Sequence, residues 1–171
     1  ANSNGVLLKE KQTSFSSFVE VSDGNINAVD YHATNGLHDV DKVLKSAVNL
    51  CLEKRNPKKI SNFKGDVVFD YFAIKDLLET VLIPAVSADE VQAKRSKLFG
   101  KLGKKVFSEN LTIYDNGRLK NGLFSSSFDG EGVPTRKTII VENGVLKSFI
   151  YDLFSAAKDG VESTGNSDGI N

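Results

Sequence analysis

The chain is poor in the residues that mark several protein classes. Its 171 residues include one cysteine, three prolines, two histidines and neither methionine nor tryptophan. With Cys51 as the single cysteine, no intramolecular disulfide can form, and a reducing compartment is expected. No apolar run approaches the roughly 18 residues that indicate a membrane-spanning helix, and no signal-peptide pattern is present. These absences exclude a disulfide scaffold and predict a cytoplasmic protein that does not enter a membrane.

The charge balance argues against nucleic acid as a partner. The sequence has 22 basic and 22 acidic side chains, and its formal net charge is zero. Binding through many phosphate contacts needs a basic surface. One local basic cluster consists of Lys94, Arg95, Lys97, Lys101, Lys104 and Lys105. It has no interleaved aromatic residues for base stacking, so we interpret it as a solvated surface.

The length suits one large or two small domains. A chain of this size buries about 70% of its unfolded surface, so its core needs neither disulfides nor a metal. We expect a hairpin and an amphipathic helix in residues 1–62 and a second domain in residues 63–171. Because no initiator methionine is present, we also expect an interior piece of a larger subunit.

The first domain is predicted from two apolar runs and one helical stripe. Val6–Lys9 and Gln12–Val21 predict a pair of strands. Apolar residues at positions 40, 43, 44, 47, 48 and 51 have the spacing of one helix face. Asp39 is the expected N-cap of this helix. Cys51 lies on the stripe, so its thiol is expected in the core.

The second domain is predicted to begin with a strand and two helices. Asp66–Phe69 is the strand, and a helix from Tyr71 to Ile83 is expected to end at Pro84. Ser87-x-x-Glu90 has the form of a capping box, which predicts a third helix from Ala88 to about Phe99. The second helix is expected to bury Ile74, Leu77, Leu78, Val81 and Leu82.

A hairpin followed by a helix is predicted near the C-terminus. Asn143-Gly144 separates the β-branched run Thr138–Glu142 from the apolar run Val145–Tyr151. This dipeptide favours a type I′ turn, in which both central residues have positive φ. Phe154–Lys158 predicts a short helix that ends at Gly160. Mixed helices and antiparallel hairpins place the chain in the α+β class.

Four sequence elements follow one another in the last third of the chain. They are F-D-x-E-G-x-P-T at 128–135, E-N-G-x-L at 142–146, S-A-x-K-x-G at 155–160 and S-T-G-N at 163–166. Their order resembles the TldD/PmbA family, zinc-dependent proteases also called modulators of DNA gyrase. The resemblance implies a PmbA/TldD-like fold, with residues 1–62 in its middle part and 63–171 beginning its C-terminal domain. It implies a peptide-groove loop of Phe128, Asp129, Glu131, Gly132, Pro134, Thr135, Ser163, Thr164, Gly165 and Asn166.

The zinc motif of TldD-type members is missing. In those members H-E-x-x-x-H precedes an F-x-G-x-x-G-x-x-V element, which resembles Phe99–Val106 here. Counting back without gaps places the motif at Glu79–Pro84, where the sequence is E-T-V-L-I-P. Zinc sites need imidazole, thiolate or carboxylate ligands that converge on one ion, and this segment has no histidine.

The chain therefore resembles the PmbA-type subunit, which lacks the motif. The resemblance implies a cytoplasmic complex that cleaves peptides, with zinc on a TldD-like partner and no catalytic, cofactor or metal residue in this chain. The partner would be that catalytic subunit, or the chain would form a homo-oligomer. A metal-free peptide-binding or scaffold protein without a protease partner is the alternative, and an enzyme using residues outside this chain is a third hypothesis.

Two further groups of polar residues have competing interpretations. His32 and His38 could bind a metal, but a turn separates them, and we interpret them as solvent-facing or capping residues. Asp129 and Glu131 could capture a peptide N-terminus. Alternatively, their carboxylates accept backbone hydrogen bonds within a tight loop or pair with Arg136.

Overall fold

The computed structural model describes residues 3–169. Two compact units are present. One extends from Lys11 to Val67, and the other combines the segment up to Glu10 with the chain from Val68 onward. Helices and antiparallel sheets occur in the order that defines an α+β protein, as predicted. No helix within residues 3–169 is long and apolar enough to cross a membrane.

The Lys11–Val67 unit consists of a hairpin and one helix. Strand β1 (Phe15–Asp23) pairs antiparallel with β2 (Ile26–Thr34) across the turn at Gly24. A hairpin was expected here, but its second strand was not predicted. The inward side of β2 carries Ala28 and Asp30, both buried. A small residue and a carboxylate give little apolar alternation, so the strand signal was weak.

Two predicted strands are wrong. Val6–Lys9 and Asp66–Phe69 have no regular secondary structure. Val68 is 97% exposed, and Val67 and Phe69 are more than half exposed, so the apolar run that suggested the second strand is not part of a core. An apolar run forms a strand only where a neighbouring strand can pair with its backbone.

Helix α1 (Val40–Glu53) confirms the helical stripe. The Asp39 side chain accepts a hydrogen bond from the Asp41 N–H at 3.0 Å, as an N-cap should. Val43, Ala47 and Cys51 are buried at four-residue intervals, and Cys51 is 3% exposed. The core position predicted for the thiol is therefore confirmed.

The second helix continues through Pro84, contrary to prediction. It comprises α2 (Tyr71–Leu77), a π-helical turn (Leu78–Leu82) and α3 (Ile83–Val86). Proline removes one donor and crowds the carbonyl four residues before it. The wider π-helical turn lies directly before Pro84, where that hydrogen bond is missing.

The apolar stripe of this helix is not in the core, contrary to prediction. Ile74, Leu77, Leu78 and Val81 are all exposed, and Leu78 keeps 41% of its surface accessible. Leu82 is the exception, since it packs against the core cluster. The helix therefore presents most of its apolar side to an open groove.

The capping box at Ser87 does not form. Helix α4 (Ala88–Gln92) begins after Ser87, but the Ser87 side chain makes no capping hydrogen bond. The Glu90 carboxylate instead forms two hydrogen bonds of 2.7 Å with the guanidinium of Arg95. The helix ends earlier than predicted because Lys94 adopts a left-handed conformation, with φ +58°.

A three-stranded antiparallel sheet forms the centre of the larger unit. Its order is β3 (Ile113–Asn116), β4 (Lys137–Glu142) and β5 (Val145–Leu146). Asn143 and Gly144 both have positive φ, +48° and +79°, which confirms the type I′ turn. The core beside the sheet contains Val86, Ala88, Val91, Ile140, Val141, Leu146, Phe149, Tyr151 and Ala156.

Helix α5 (Leu153–Asp159) follows the sheet, as the sequence predicted. Asp152 and Ser155 cap its start reciprocally, with the Ser155 N–H donating to the Asp152 carboxylate at 2.7 Å. Gly160 ends the helix in the left-handed conformation, with φ +66°. The predicted stop at this glycine is confirmed.

Candidate functional site

The two loop motifs of the last third meet in space. The Gly130 N–H donates to the Ser167 carbonyl at 2.8 Å, which joins the 128–135 loop to the segment after S-T-G-N. Gly165 packs against the same loop so closely that a Cβ atom there would lie 2.6 Å from the Pro134 carbonyl oxygen. Phe128 and Pro134 close the loop through an isolated antiparallel bridge. The structure therefore assembles one site from two separate motifs.

The Asp129 carboxylate organises the loop from inside. One of its oxygens accepts the N–H groups of Glu131 at 3.0 Å and Val133 at 2.8 Å. The other accepts the Ser167 N–H at 3.1 Å. Three backbone donors thus occupy this buried carboxylate, and the interpretation of Asp129 as a backbone acceptor is confirmed.

Glu131 and Gly132 also contribute to the structure of this loop. The Glu131 carboxylate accepts the Leu153 N–H at 2.9 Å, at the start of α5, where negative charge is favourable. Gly132 has φ +83°, a conformation that glycine adopts without strain. The alternative pairing with Arg136 is wrong, since that guanidinium donates instead to the Ser163 carbonyl at 2.5 Å.

Ser163 and Thr164 bind the chain at Tyr151. The Tyr151 carbonyl accepts from the Ser163 hydroxyl at 3.0 Å and from the Thr164 N–H at 3.0 Å. The Tyr151 N–H donates to the Thr164 hydroxyl at 2.8 Å. Thr135 acts similarly within the other motif, since its hydroxyl donates to the Ser126 carbonyl. All three hydroxyls therefore make hydrogen bonds within the fold, which gives these side chains a structural role.

Asn166 is different, because only half of its amide is used. Its Nδ2 donates to the Asp115 carboxylate at 2.8 Å. Its Oδ1 is buried and has no hydrogen-bond partner within residues 3–169. Both residues line a cavity of about 430 Å³ between the two motifs. Sequence reasoning missed Asp115, because Asp115-Asn116-Gly117 has the composition of a simple turn.

A second, apolar groove of about 690 Å³ lies along the helix that contains the π-helical turn. It is lined mainly by aliphatic side chains, including Leu78 and Val81 of that turn. Phe107 and Ile113 line it from outside the helix. This groove is where the apolar stripe predicted for the core actually lies.

The residues at the expected zinc-motif position do not fit a zinc ion. In the π-helical turn the Ile83 N–H donates to the Leu78 carbonyl, five residues earlier, which is the bonding that defines a π-helix. Glu79 is the only ionisable side chain of the E-T-V-L-I-P segment, and it pairs with Lys75 at 2.7 Å. Across residues 3–169, no three His, Cys, Asp or Glu side chains are grouped so that they could hold a metal.

Strand β3 is the open edge of the sheet. The opposite edge is covered, because Leu146 of β5 exchanges backbone hydrogen bonds with Gly103 and Lys104. In the described part of the chain, β3 pairs with β4 on one side and with no strand on the other. An unpaired strand edge presents N–H and C=O groups to which an extended peptide can bind.

The two histidines lie in the smaller unit and contact each other. His38 Nε2 and the Ser17 hydroxyl are 2.7 Å apart, and the His32 and His38 rings meet edge to face at 4.8 Å. The turn between them thus brings the rings closer than the sequence suggested. Within residues 3–169 no third ligand completes a metal site there.

The sequence matches the model of one protein family. The PmbA/TldA metallopeptidase C-terminal domain matches residues 63–170, more than half of the chain. The chain belongs to the PmbA/TldD metallopeptidase family. The resemblance inferred from the four sequence elements is therefore confirmed. The matched residues include the π-helical turn, β3 and both loop motifs, so the whole candidate site lies within the PmbA/TldD domain.

Individual relatives agree with this assignment. An uncharacterized protein of Methanocaldococcus jannaschii is 42% identical over 165 residues, which cover 96% of this chain and 39% of the relative. The metalloprotease PmbA of Escherichia coli O157:H7 is 32% identical over 99% of this chain and 39% of its own length. The crystal structure of TldE from Thermococcus kodakarensis aligns with a TM-score of 0.74 at 30% identity, over 92% of this chain and 38% of that one. The chain thus spans about two fifths of the length of each of these three proteins.

Proposed function

We propose that this chain is part of a PmbA-like subunit that binds peptides for a TldD-like partner, and that the partner carries the zinc ion. The observation that supports this most strongly is the π-helical turn at Leu78–Leu82. It overlaps residues 79–84, where counting back without gaps from Phe99–Val106 is expected to place the zinc motif of TldD-type members, and its side chains line a groove. Aliphatic residues there offer packing to a peptide and no ligand to a metal.

The groove and the strand edge together suit an extended peptide. Backbone groups of β3 would pair with the backbone of the peptide, which gives affinity without dependence on sequence. Apolar side chains of the peptide would enter the groove beside Leu78, Val81 and Ile113. Each buried methylene would add about 0.8 kcal/mol to binding, so this surface would favour peptides with aliphatic side chains.

The proposal is tested with the full-length subunit, purified alone and after co-expression with a TldD-like subunit. We expect elemental analysis to find zinc only in the co-purified complex. We expect the subunit alone to bind an aliphatic peptide without cleaving it. The matched control is the complex whose partner has alanines in its H-E-x-x-x-H motif, which should assemble but lose both zinc and cleavage.

Two results would contradict the proposal. Stoichiometric zinc held by the subunit alone would show that it has metal ligands of its own. A subunit that runs only as a homo-oligomer and captures no zinc-bearing partner would instead support the metal-free peptide-binding or scaffold function.

A further inference from the structure

We propose that the apolar groove selects peptides in which a carboxylate lies next to the aliphatic residue, and that Arg95 and Lys97 bind this carboxylate. The inference rests on the peptide binding proposed above and adds the chemical class of the peptide. The groove has a volume of about 690 Å³, in the range of pockets that enclose a small ligand. Its charged lining, the anchoring of that lining and the charge around it support the assignment.

The charged side chains of the groove lie close together in the sequence. They are Glu90, Arg95 and Lys97, so the lining has one positive charge in excess. The other lining residues are apolar except Thr80 and Ser96. A peptide carboxylate that enters the groove therefore meets favourable charge, whereas an ammonium group meets unfavourable charge.

The single acidic residue of the groove is already paired. Glu90 accepts hydrogen bonds of 2.7 Å from both Nε and Nη2 of Arg95. These bonds hold the pKa of the Glu90 carboxyl below its usual value, so the carboxylate stays charged and paired. A guanidinium presents more N–H groups than this pair uses. Arg95 can therefore bind a second carboxylate while it keeps the first.

Lys97 provides the positive charge that no acidic residue neutralises. Its side chain is exposed, and none of the ion pairs within residues 3–169 includes it. Ser96, between the two cations, is anchored, since its hydroxyl donates to the Ala85 carbonyl at 2.6 Å and accepts the Leu98 N–H at 3.1 Å. Ala85 belongs to α3 and also lines the groove. The backbone that holds both cations is thus fixed at the groove, and little loss of backbone entropy opposes binding.

The rest of the basic cluster strengthens this positive potential. Residues 94–105 contain six basic side chains and no acidic one. Within the described part of the chain, only Arg95 and Lys105 of these six form ion pairs, with Glu90 and Glu109. Clustered charge of one sign attracts a ligand of the opposite sign over several ångströms. The chain as a whole has no net charge, which favours a peptide carboxylate over a nucleic-acid backbone as that ligand.

The test measures the binding of four N-acetylated peptides to the full-length subunit by calorimetry. The first ends in an aliphatic residue with a free carboxylate, and the second is the same peptide with a C-terminal amide. The third and fourth are amides in which Glu or Gln stands next to the aliphatic residue. We expect the carboxylate member of at least one pair to bind about fivefold more tightly at low salt, the effect of one exposed ion pair. A preference within the first pair identifies the peptide C-terminus as the ligand, and a preference within the second identifies an acidic side chain.

Two variants with the same change of charge locate the effect. Lys97→Glu should remove the preference for the carboxylate peptides and leave the affinity for the amide peptides unchanged. Lys120→Glu changes an exposed lysine outside the groove and should keep the fivefold preference. High salt should weaken the preference of the wild type, because salt screens exposed charges.

Three results would contradict the inference. Equal binding of carboxylate and amide peptides by the wild type, or a preference that Lys97→Glu retains, would overturn the carboxylate site while leaving peptide binding in the groove intact. Displacement of the peptides by a single-stranded oligonucleotide at equal concentration would assign the cations to phosphate binding instead. Absence of binding by every peptide would overturn both proposals.

Discussion

Ile113 and Asp115 lie on the same face of the edge strand β3 and line two different cavities. Ile113 is part of the lining of the apolar groove, and Asp115 is part of the lining of the polar cavity. A strand of four residues thus connects the groove at the π-helical turn with the loops of the F-D-x-E-G-x-P-T and S-T-G-N elements. One extended ligand along β3 would contact both.

Leu78→Ala tests whether the helix stripe is a binding surface or core. Because Leu78 is half-exposed in the groove, we expect a loss of stability below about 1.5 kcal/mol. Leu146→Ala is the matched control, since Leu146 is fully buried and should cost about 2–5 kcal/mol. Urea unfolding measures both. A Leu78→Ala loss as large as that of Leu146→Ala would mean that the groove is closed in solution.

Gly144→Val and Gly160→Ala distinguish two reasons why a position requires glycine, which are positive φ and the lack of room for a side chain. Both positions have positive φ, but a Cβ at Gly144 would lie 2.5 Å from the Phe107 carbonyl oxygen, whereas Gly160 has nothing within 4 Å. We expect Gly160→Ala to cost about 1–2 kcal/mol from backbone strain alone. Gly144→Val should cost more, at least about 3 kcal/mol, because strain and overlap with the backbone add.

Thermal and urea unfolding of the two glycine variants provide the comparison. Equal losses would show that the segment at Phe107 moves away from the turn at little cost. The close approach at Gly144 would then be incidental, and the type I′ turn alone would explain the glycine.

Asp129→Asn tests the role of the loop carboxylate. An amide can accept the Glu131 and Val133 N–H groups with its oxygen, but its NH₂ group then faces the Ser167 N–H, which also donates. We expect a loss of about 1–3 kcal/mol, the effect of leaving one buried donor unpaired. Glu162→Gln, at an exposed carboxylate, should change stability by less than about 0.5 kcal/mol. If Asp129→Asn leaves the free energy of unfolding unchanged, the loop does not depend on this charge.

Tyr151 should make stability depend on alkaline pH. Burial, together with the hydrogen bond to Asp159, raises the pKa of Tyr151 from 10.0 to about 12. The folded state therefore holds the phenol proton more tightly than the unfolded state does. Its stabilising contribution is complete below pH 10 and is lost as the pH rises from about 10 to 12.

Urea unfolding across that pH range measures the effect. Tyr151→Phe keeps the ring but removes the ionisation, so its stability should decline less steeply above pH 10 than that of the wild type. Parallel decline of the two proteins would show that the phenol titrates alike in both states.

Local signals predicted much of the second half of the fold. The Asn143-Gly144 turn and the stop of α5 at Gly160 depend on backbone conformations that few residues adopt, so neighbouring residues suffice to indicate them. Helix α1 was predicted because its stripe repeats over three turns. The prediction of a capping box at Ser87 was wrong because the Glu90 carboxylate accepts hydrogen bonds from Arg95 instead. The S-x-x-E pattern does not show this competition for the carboxylate.

The candidate site was predicted only in part. The order of motifs placed Asp129, Glu131 and Asn166 together through the family resemblance, but not the role of each side chain. Asp115 was missed because only its hydrogen bond with Asn166, which is 51 positions away in the chain, places it at the site. The helix stripe from Ile74 to Val81 was predicted to be core, because periodicity indicates an apolar face without showing what covers it.

The sequence by itself determined the family, the turns with positive φ and the absence of histidine at residues 79–84. These follow from residue identity and short spacing, which do not change when the chain folds. Tertiary structure decided which apolar face stays open and which strand edge is unpaired. Each of these depends on partners distant in sequence, and only the folded chain brings such partners within the few ångströms over which packing and hydrogen bonds act.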